Sequence, residues 1–433
     1  MGIKYLTTTI RQVINKHSDM AKGALFAAFS FVNKAFNFLL LLILANYIAP
    51  VEYGYLSLFM TVVMIVGYFM AFSTEGYFSI AFFDEGINGS KKAFSGISYI
   101  SLTVLIFLLL LFFVASKPLS GLLSLPSYTI LSGVLSVYFS IYLNTLLEYY
   151  RINDKVYVYG IISCSNALLN FVLSILLVKN FHMGWEGRVY SITCCSFVYG
   201  LLGILFFVKK RYYTKTDWSY IKKMLFWGIP IIPHLAANFL KQGCDRYIIN
   251  FYHSTEDVGI FSFALTLTTI ITMIGFGFNQ SNSVTIYKVC GDHSLLSSIK
   301  RTILSNQRKK YLYLYLICSI ITVVLCITII PLLLPKYNDS MKYVPILGVY
   351  GLMVCYYLIY TNYLFFYKKT KTLMYITFGS ALLHLFLSLA FTRYSLIYTS
   401  IIYCISQSIV VYFVRRVALN ALEENLNKDT CQE

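Results

Sequence analysis

Apolar residues fall in long blocks along this chain, separated by short clusters of charged and turn-forming residues. Twelve blocks can be drawn, over roughly 24–48, 55–82, 94–115, 128–149, 156–178, 188–208, 223–250, 258–283, 311–334, 343–366, 372–391 and 394–414. Each is about as long as the roughly 20 apolar residues that carry a helix across a bilayer. Strict alternation is rare, so helices are predicted and strands are not. The fold class expected is an all-α polytopic membrane protein of about 12 transmembrane helices. The first block has no small-residue cleavage pattern and reads as a retained span.

Basic residues test that count. If successive gaps lie on alternate sides, the N-terminal side collects 26 of the 35 Lys and Arg, and the opposite side collects 6. The remaining three, Lys34, Lys241 and Arg246, lie inside blocks. Basic loops stay in the cytoplasm. Both termini are therefore expected there. One missed span would scramble the asymmetry beyond it.

Composition adds exclusions. Apolar residues make up 58% and charged ones 12%, with a mean hydropathy of +0.68. Ordinary soluble domains are about 25% charged. The net charge of +17 is thus mostly a topology signal. A nucleic-acid partner is not expected; membrane lipids are. The ten cysteines show no CxxC or Cys/His ligand spacing, so no metal and no disulfide framework is expected. No gap is long enough to hold a soluble catalytic domain.

An internal repeat appears at an offset of 205 residues. Glu52-Tyr53-Gly54-Tyr55-Leu56-Ser57-Leu58 matches Asp257-Val258-Gly259-Ile260-Phe261-Ser262-Phe263, and Asn33 and Tyr47 pair with Asn238 and Tyr252. Six spans per half give a parallel repeat, two six-helix lobes about a pseudo-two-fold axis along the membrane normal. The expected organisation is an N-terminal lobe over 1–208, a basic connection over 209–222, a C-terminal lobe over 223–416 and a cytoplasmic tail over 417–433. In such folds the substrate site lies between the halves.

Polar residues inside spans are costly and mark function. The seventh block carries Pro230, Pro233, His234, Asn238, Lys241, Asp245 and Arg246. At 100° per residue, His234, Asn238, Lys241 and Asp245 form one stripe, with Arg246 about 100° to its side. The alternative for Lys241 and Asp245 is a local i,i+4 ion pair. The prolines should break the helix, which makes them hinge candidates along with Gly54 and Gly259. The first block offers Asn33, Lys34 and Asn37, where Lys34 could also snorkel. Glu75, in the second, could neutralise Lys34 or carry a coupling ion, as could Asp245. Asn166, Asn170, Ser174, Asn279, Gln280, Asn282, Asn144, Asn362, His384 and Gln407 read by default as helix–helix hydrogen-bonding groups. Lys34, Lys241 and Arg246 against Glu75 and Asp245 leave a slightly positive cavity. Such a cavity suits a phosphate-bearing sugar.

The segment LANYIAPVEYGYLSLF over 44–59 resembles the hallmark of the polysaccharide (O-antigen) flippases of the multidrug/oligosaccharidyl-lipid/polysaccharide exporter superfamily. PIIPHLAANFLKQGCDRYIINFYHSTEDVGIFSFA over 230–264 resembles the start of their second half. The resemblance implies alternating-access flipping of an undecaprenyl-diphosphate-linked oligosaccharide to the outer leaflet, without enzymatic chemistry. By the same resemblance Lys34, Lys241 and Arg246 would face phosphate, and Asn33 and Asn238 sugar. His234 and Asn37 join that candidate substrate set. The family often has a basic residue where this chain has Asn46, so no role for a charge is expected there. No cofactor is implied beyond a proton or sodium gradient. Partners implied are the lipid-linked glycan and other surface-polysaccharide assembly proteins.

Two other readings are kept open. A cation-coupled drug exporter of the same superfamily would favour a negative cavity. A membrane glycan polymerase or ligase would need a large outer loop, and these gaps are about ten residues long.

Overall fold

A computed structural model describes residues 25–26, 28–292 and 294–430. Among the described residues, eleven helices are long and apolar enough to cross a membrane. They are α1 (Ala28–Ala45), α2 (Pro50–Met70), α3 (Tyr77–Leu123), α4 (Ser127–Ile152), α5 (Val156–Ile175) and α6 (Gly184–Lys209), followed by α10 (Thr255–Gly291), α11 (Ser297–Leu333), α12 (Val344–Phe366), α13 (Thr370–Phe391) and α14 (Leu396–Thr430). A twelfth stretch is broken into α7 (Trp218–Gly228), α8 (Ile232–Asn238) and α9 (Cys244–Tyr252). The all-helical polytopic expectation holds.

The surface explains why bilayer is needed. Along α3, Phe107, Leu110, Phe113 and Val114 are all more than 60% exposed, while Ser95, Ser98 and Ser101 are buried. Water would not tolerate so large an apolar face.

Several boundaries move, each for a local reason. The second predicted block, 55–82, ends its helix at Met70. Phe72 and Ser73 turn left-handed (φ 49° and 57°), and Thr74–Gly76 forms a 3₁₀ turn. The chain then enters α3, which absorbs the end of the second block and all of the third. Gly86 bends it at φ 66°, ψ −152°, a conformation essentially reserved for glycine. A second bend at Ala115 precedes Pro118, whose missing N–H frees a carbonyl in that turn. The gap between the eighth and ninth predicted blocks, 284–310, is not a loop. α10 runs to Gly291 and α11 starts at Ser297, so helices carry its basic residues. Likewise α14 continues to Thr430, and its end is held by Ser297 Oγ donating to the Leu426 carbonyl (3.0 Å) and by an Arg301–Glu423 ion pair.

The chain forms two compact units. One comprises Met1–Ile48 with Val62–Ile232, and the other Ala49–Thr61 with Pro233–Glu433. The division falls within the broken stretch, and the first half of α2 belongs to the second unit. In the first unit α4 lies along α6 over an aromatic core where Phe94 stacks on Phe207 (4.1 Å between centroids). In the second, α12 packs against both α10 and α14, burying Tyr315, Cys355, Ile359 and Tyr363.

Candidate functional site

The broken stretch sets the geometry. Pro230 sits in a 3₁₀ turn, Ile229–Ile231, and Pro233 follows at the second position of α8. Neither can donate a backbone hydrogen bond. Between α8 and α9 the chain widens into a π turn, Phe239–Gly243. Each residue of a π turn advances roughly 20° less than in an α-helix, a lag of about 90° over five residues. That lag carries Arg246 round onto the face of Asn238 and takes Asp245 off it. The stripe expected from an unbroken helix is therefore corrected at both residues. Lys241 and Asp245 form no i,i+4 ion pair.

Asn238, Lys241 and Arg246 line one cavity of about 330 Å³ within the second unit. Gln242, Tyr350, Tyr357 and Gln407 line it too, as do Thr266, Thr268, Thr269 and Thr272 of α10. Lys241 Nζ donates to Gln407 Oε1 (3.4 Å). Arg246 Nη1 donates to the Ser57 carbonyl (3.2 Å) and to Thr61 Oγ1 (3.0 Å), so the first half of α2 aims the guanidinium. Its Nε is buried with no hydrogen-bond partner among the described residues. No Asp or Glu of the described residues lines the cavity. Two cations in a low-dielectric setting with no lining carboxylate favour an anion, and the amides, phenols and threonines around them suit hydroxyl-rich groups.

Asp245 is fully buried behind this wall. Its Oδ2 meets His384 Nε2 (2.8 Å), and its Oδ1 accepts from Ser388 Oγ (2.6 Å). Sequence periodicity cannot show this, because His384 lies 139 residues away and reads as a packed histidine on its own helix.

The other candidates lie elsewhere. Asn33, Lys34 and Asn37 are on α1 in the first unit, where Asn33 Nδ2 donates to Ser163 Oγ of α5. Glu75 is half-buried in the 3₁₀ turn before α3; its carboxylate makes no ion pair among the described residues. The side chain of His234 lies outside the described part of the structure. Asn279 and Asn282 accept from Asn362 (2.8 Å) and Gln307 (2.8 Å) in helix–helix contacts. Among the described residues no group of three or more His, Cys, Asp or Glu could hold a metal ion.

Membrane-crossing helices and, within the second unit, a cationic, amide-lined cavity define a polytopic membrane protein, and known folds agree. The structure is similar to a multidrug-resistance MATE family transporter of the MOP superfamily in its inward-facing conformation. The TM-score is 0.72 at 11% identity, covering 90% of this chain and 96% of that one. It is also similar to the lipid II flippase MurJ in an inward closed conformation, with a TM-score of 0.70 at 16% identity over 94% of this chain and 91% of that one. The chain belongs to the polysaccharide biosynthesis protein family, whose model matches residues 20–283. A relative from Haemophilus influenzae, the Lsg locus putative protein 1, is 23% identical over 394 residues, spanning 88% of this chain and 94% of that protein.

Proposed function

We propose that this protein flips undecaprenyl-diphosphate-linked oligosaccharide from the cytoplasmic to the outer leaflet of a bacterial inner membrane. The glycan would serve a surface polysaccharide such as O-antigen or capsule. Family membership supports polysaccharide biosynthesis as the setting, and the likeness to the lipid II flippase supports a fold suited to a lipid-linked cargo. The observation that carries the reading is the second-unit cavity, where Lys241 and Arg246 stand among amides and hydroxyls with no lining carboxylate among the described residues. Charge-assisted hydrogen bonds from these cations suit a diphosphate, and Asn238, Gln242 and Gln407 suit sugar hydroxyls. No bond in the cargo is made or broken, so the role is transport and not catalysis. Both termini are cytoplasmic in this reading, and the partners are the lipid-linked glycan and other assembly proteins of the same surface polymer.

The test is surface glycan in cells carrying Lys241→Ala with Arg246→Ala. Glycan should fall at least tenfold, with the protein's membrane level unchanged. Normal glycan in the double variant contradicts the assignment. The second reading, a drug exporter, draws on the likeness to the MATE transporter. It predicts instead that the same variant changes resistance to cationic drugs and leaves glycan alone.

A further inference from the structure

One side of α7 is fixed to the first unit. Tyr220, Met224 and Trp227 share that side at helical spacing. The Tyr220 hydroxyl donates to the Gly89 carbonyl of α3 (3.3 Å). Met224 is buried, with its sulfur where a Cβ on Gly96 would sit. The Trp227 ring covers Gly76 and meets Tyr77 edge-on (5.8 Å between centroids). The connection ahead of α7 is held to α3 as well. The Thr214 N–H donates to Ser95 Oγ (2.8 Å), and Thr216 Oγ1 donates to the Lys92 carbonyl (3.2 Å). All these contacts lie within the first unit.

The other side carries cations and bare rings. The stretch 209–223 holds six basic residues and one acid, Asp217. Glu85 takes up Lys223 (3.7 Å) and Lys92 (4.0 Å). Lys209, Lys210, Arg211, Lys215 and Lys222 are exposed and form no ion pair among the described residues. They stand at the edges of two apolar blocks. Leu205 and Val208, both more than half exposed, precede Lys209, and Phe226, 70% exposed, follows Lys222. The Lys222 ammonium lies over the Phe226 ring (5.7 Å to its centroid). Trp218, also 70% exposed, shares their face, since Trp218, Lys222 and Phe226 fall within about 80° of one another. An aromatic ring beside lysines at the end of an apolar span belongs at the headgroup level of a bilayer.

We infer that this strip, from the end of α6 to the start of α7, binds anionic phospholipid. Lipid phosphates would sit against the five exposed cations, with acyl chains beside Leu205, Val208 and Phe226. Charge sets the choice of lipid. A zwitterionic headgroup adds an ammonium that these cations repel, whereas an anionic headgroup keeps its net negative charge for them. The frame is fixed as well as charged. Ser95, Lys92 and Gly89 of α3 hold the backbone and the Tyr220 ring, so the cations are presented from a set position and not from a loose loop. Basic residues at such a place direct insertion; here they also keep headgroups bound afterwards. The inference does not depend on the cargo.

The experiment is quenching of tryptophan fluorescence in phosphatidylcholine vesicles containing the full-length protein and a small, fixed fraction of brominated lipid. The bromine is carried either by phosphatidylglycerol or by phosphatidylcholine. The share belonging to Trp218 is the difference between the unaltered protein and Trp218→Phe, a change at an exposed ring. Brominated phosphatidylglycerol should quench that share about fivefold more effectively than brominated phosphatidylcholine. Salt at about 1 M should remove most of the preference. Lys215→Gln with Lys222→Gln should at least halve it, and Gln at all five positions should bring the ratio to about one. If the fivefold variant fails to insert, the double variant and the salt series carry the test. Equal quenching by the two lipids in the unaltered protein overturns the site. So does a preference that survives both high salt and the double variant. No quenching of Trp218 by either lipid places the ring in water and overturns it too. No glycan is present, so failure here leaves the flippase reading standing, and failure of the glycan assay leaves the quenching unaffected.

Discussion

Gly54 and Gly259 occupy equivalent places in a reciprocal helix crossing. A Cβ on Gly54 would overlap the Thr255 carbonyl, and one on Gly259 would overlap the Pro50 carbonyl. Thr255 lies 205 residues after Pro50, just as Gly259 follows Gly54. A contact in which each partner repeats the other's role is the mark of a two-fold relation. The repeat read at that offset thus has a physical counterpart at the first turns of α2 and α10.

That crossing gives a stability prediction. Gly54→Ala and Gly259→Ala should each destabilise by about 1–3 kcal/mol, because a methyl must push two backbones apart. The double variant should lose less than the sum, since one separation relieves both clashes. Thermal unfolding in detergent checks this. Two single variants melting with the unaltered protein would contradict the crossing.

Arg246→Lys separates charge from geometry. One guanidinium nitrogen, Nη1, bonds the Ser57 carbonyl and Thr61 at once, and the compact ammonium of a lysine on its flexible stem is not held in that place by a planar group. Surface glycan should fall about three- to tenfold in Arg246→Lys and further in Arg246→Ala, at equal protein level. Equal losses in both would show that charge at this position contributes nothing.

Arg188 is a structural cation. It stands at the first residue of the sixth predicted block, 188–208, and is 5% exposed on α6. It donates to Asn170 and to Ser174 (2.8 Å) within the first unit. Arg188→Ala strands those acceptors and leaves a void, costing about 2–4 kcal/mol. The drop in melting temperature should come with glycan lost only in proportion to protein lost. Full stability with glycan abolished would move Arg188 into the transport machinery.

The spans were legible because a bilayer demands long apolar helices, and the break at Pro230 and Pro233 because proline lacks a donor. The charges of 284–310 looked like a loop because a helix beyond the bilayer is as polar as one; Lys300, buried at 1% exposure, shows how far that reading misleads. The face of α9 was not legible. A π turn carries no composition signal, and its lag exchanges Asp245 for Arg246. His384 and Gln407 looked like isolated polar groups because their partners, Asp245 and Lys241, lie on helices more than 130 residues away.

In the proposed function, the second-unit cations Lys241 and Arg246 hold the anionic head of a lipid-linked glycan during its passage. The most direct measurement follows a fluorescent undecaprenyl-diphosphate oligosaccharide in proteoliposomes containing the full-length protein, scored by how fast a membrane-impermeant lectin gains access to it. Transfer should depend on the protein and fall at least tenfold in Lys241→Ala with Arg246→Ala. Transfer at the unaltered rate in that variant would contradict it.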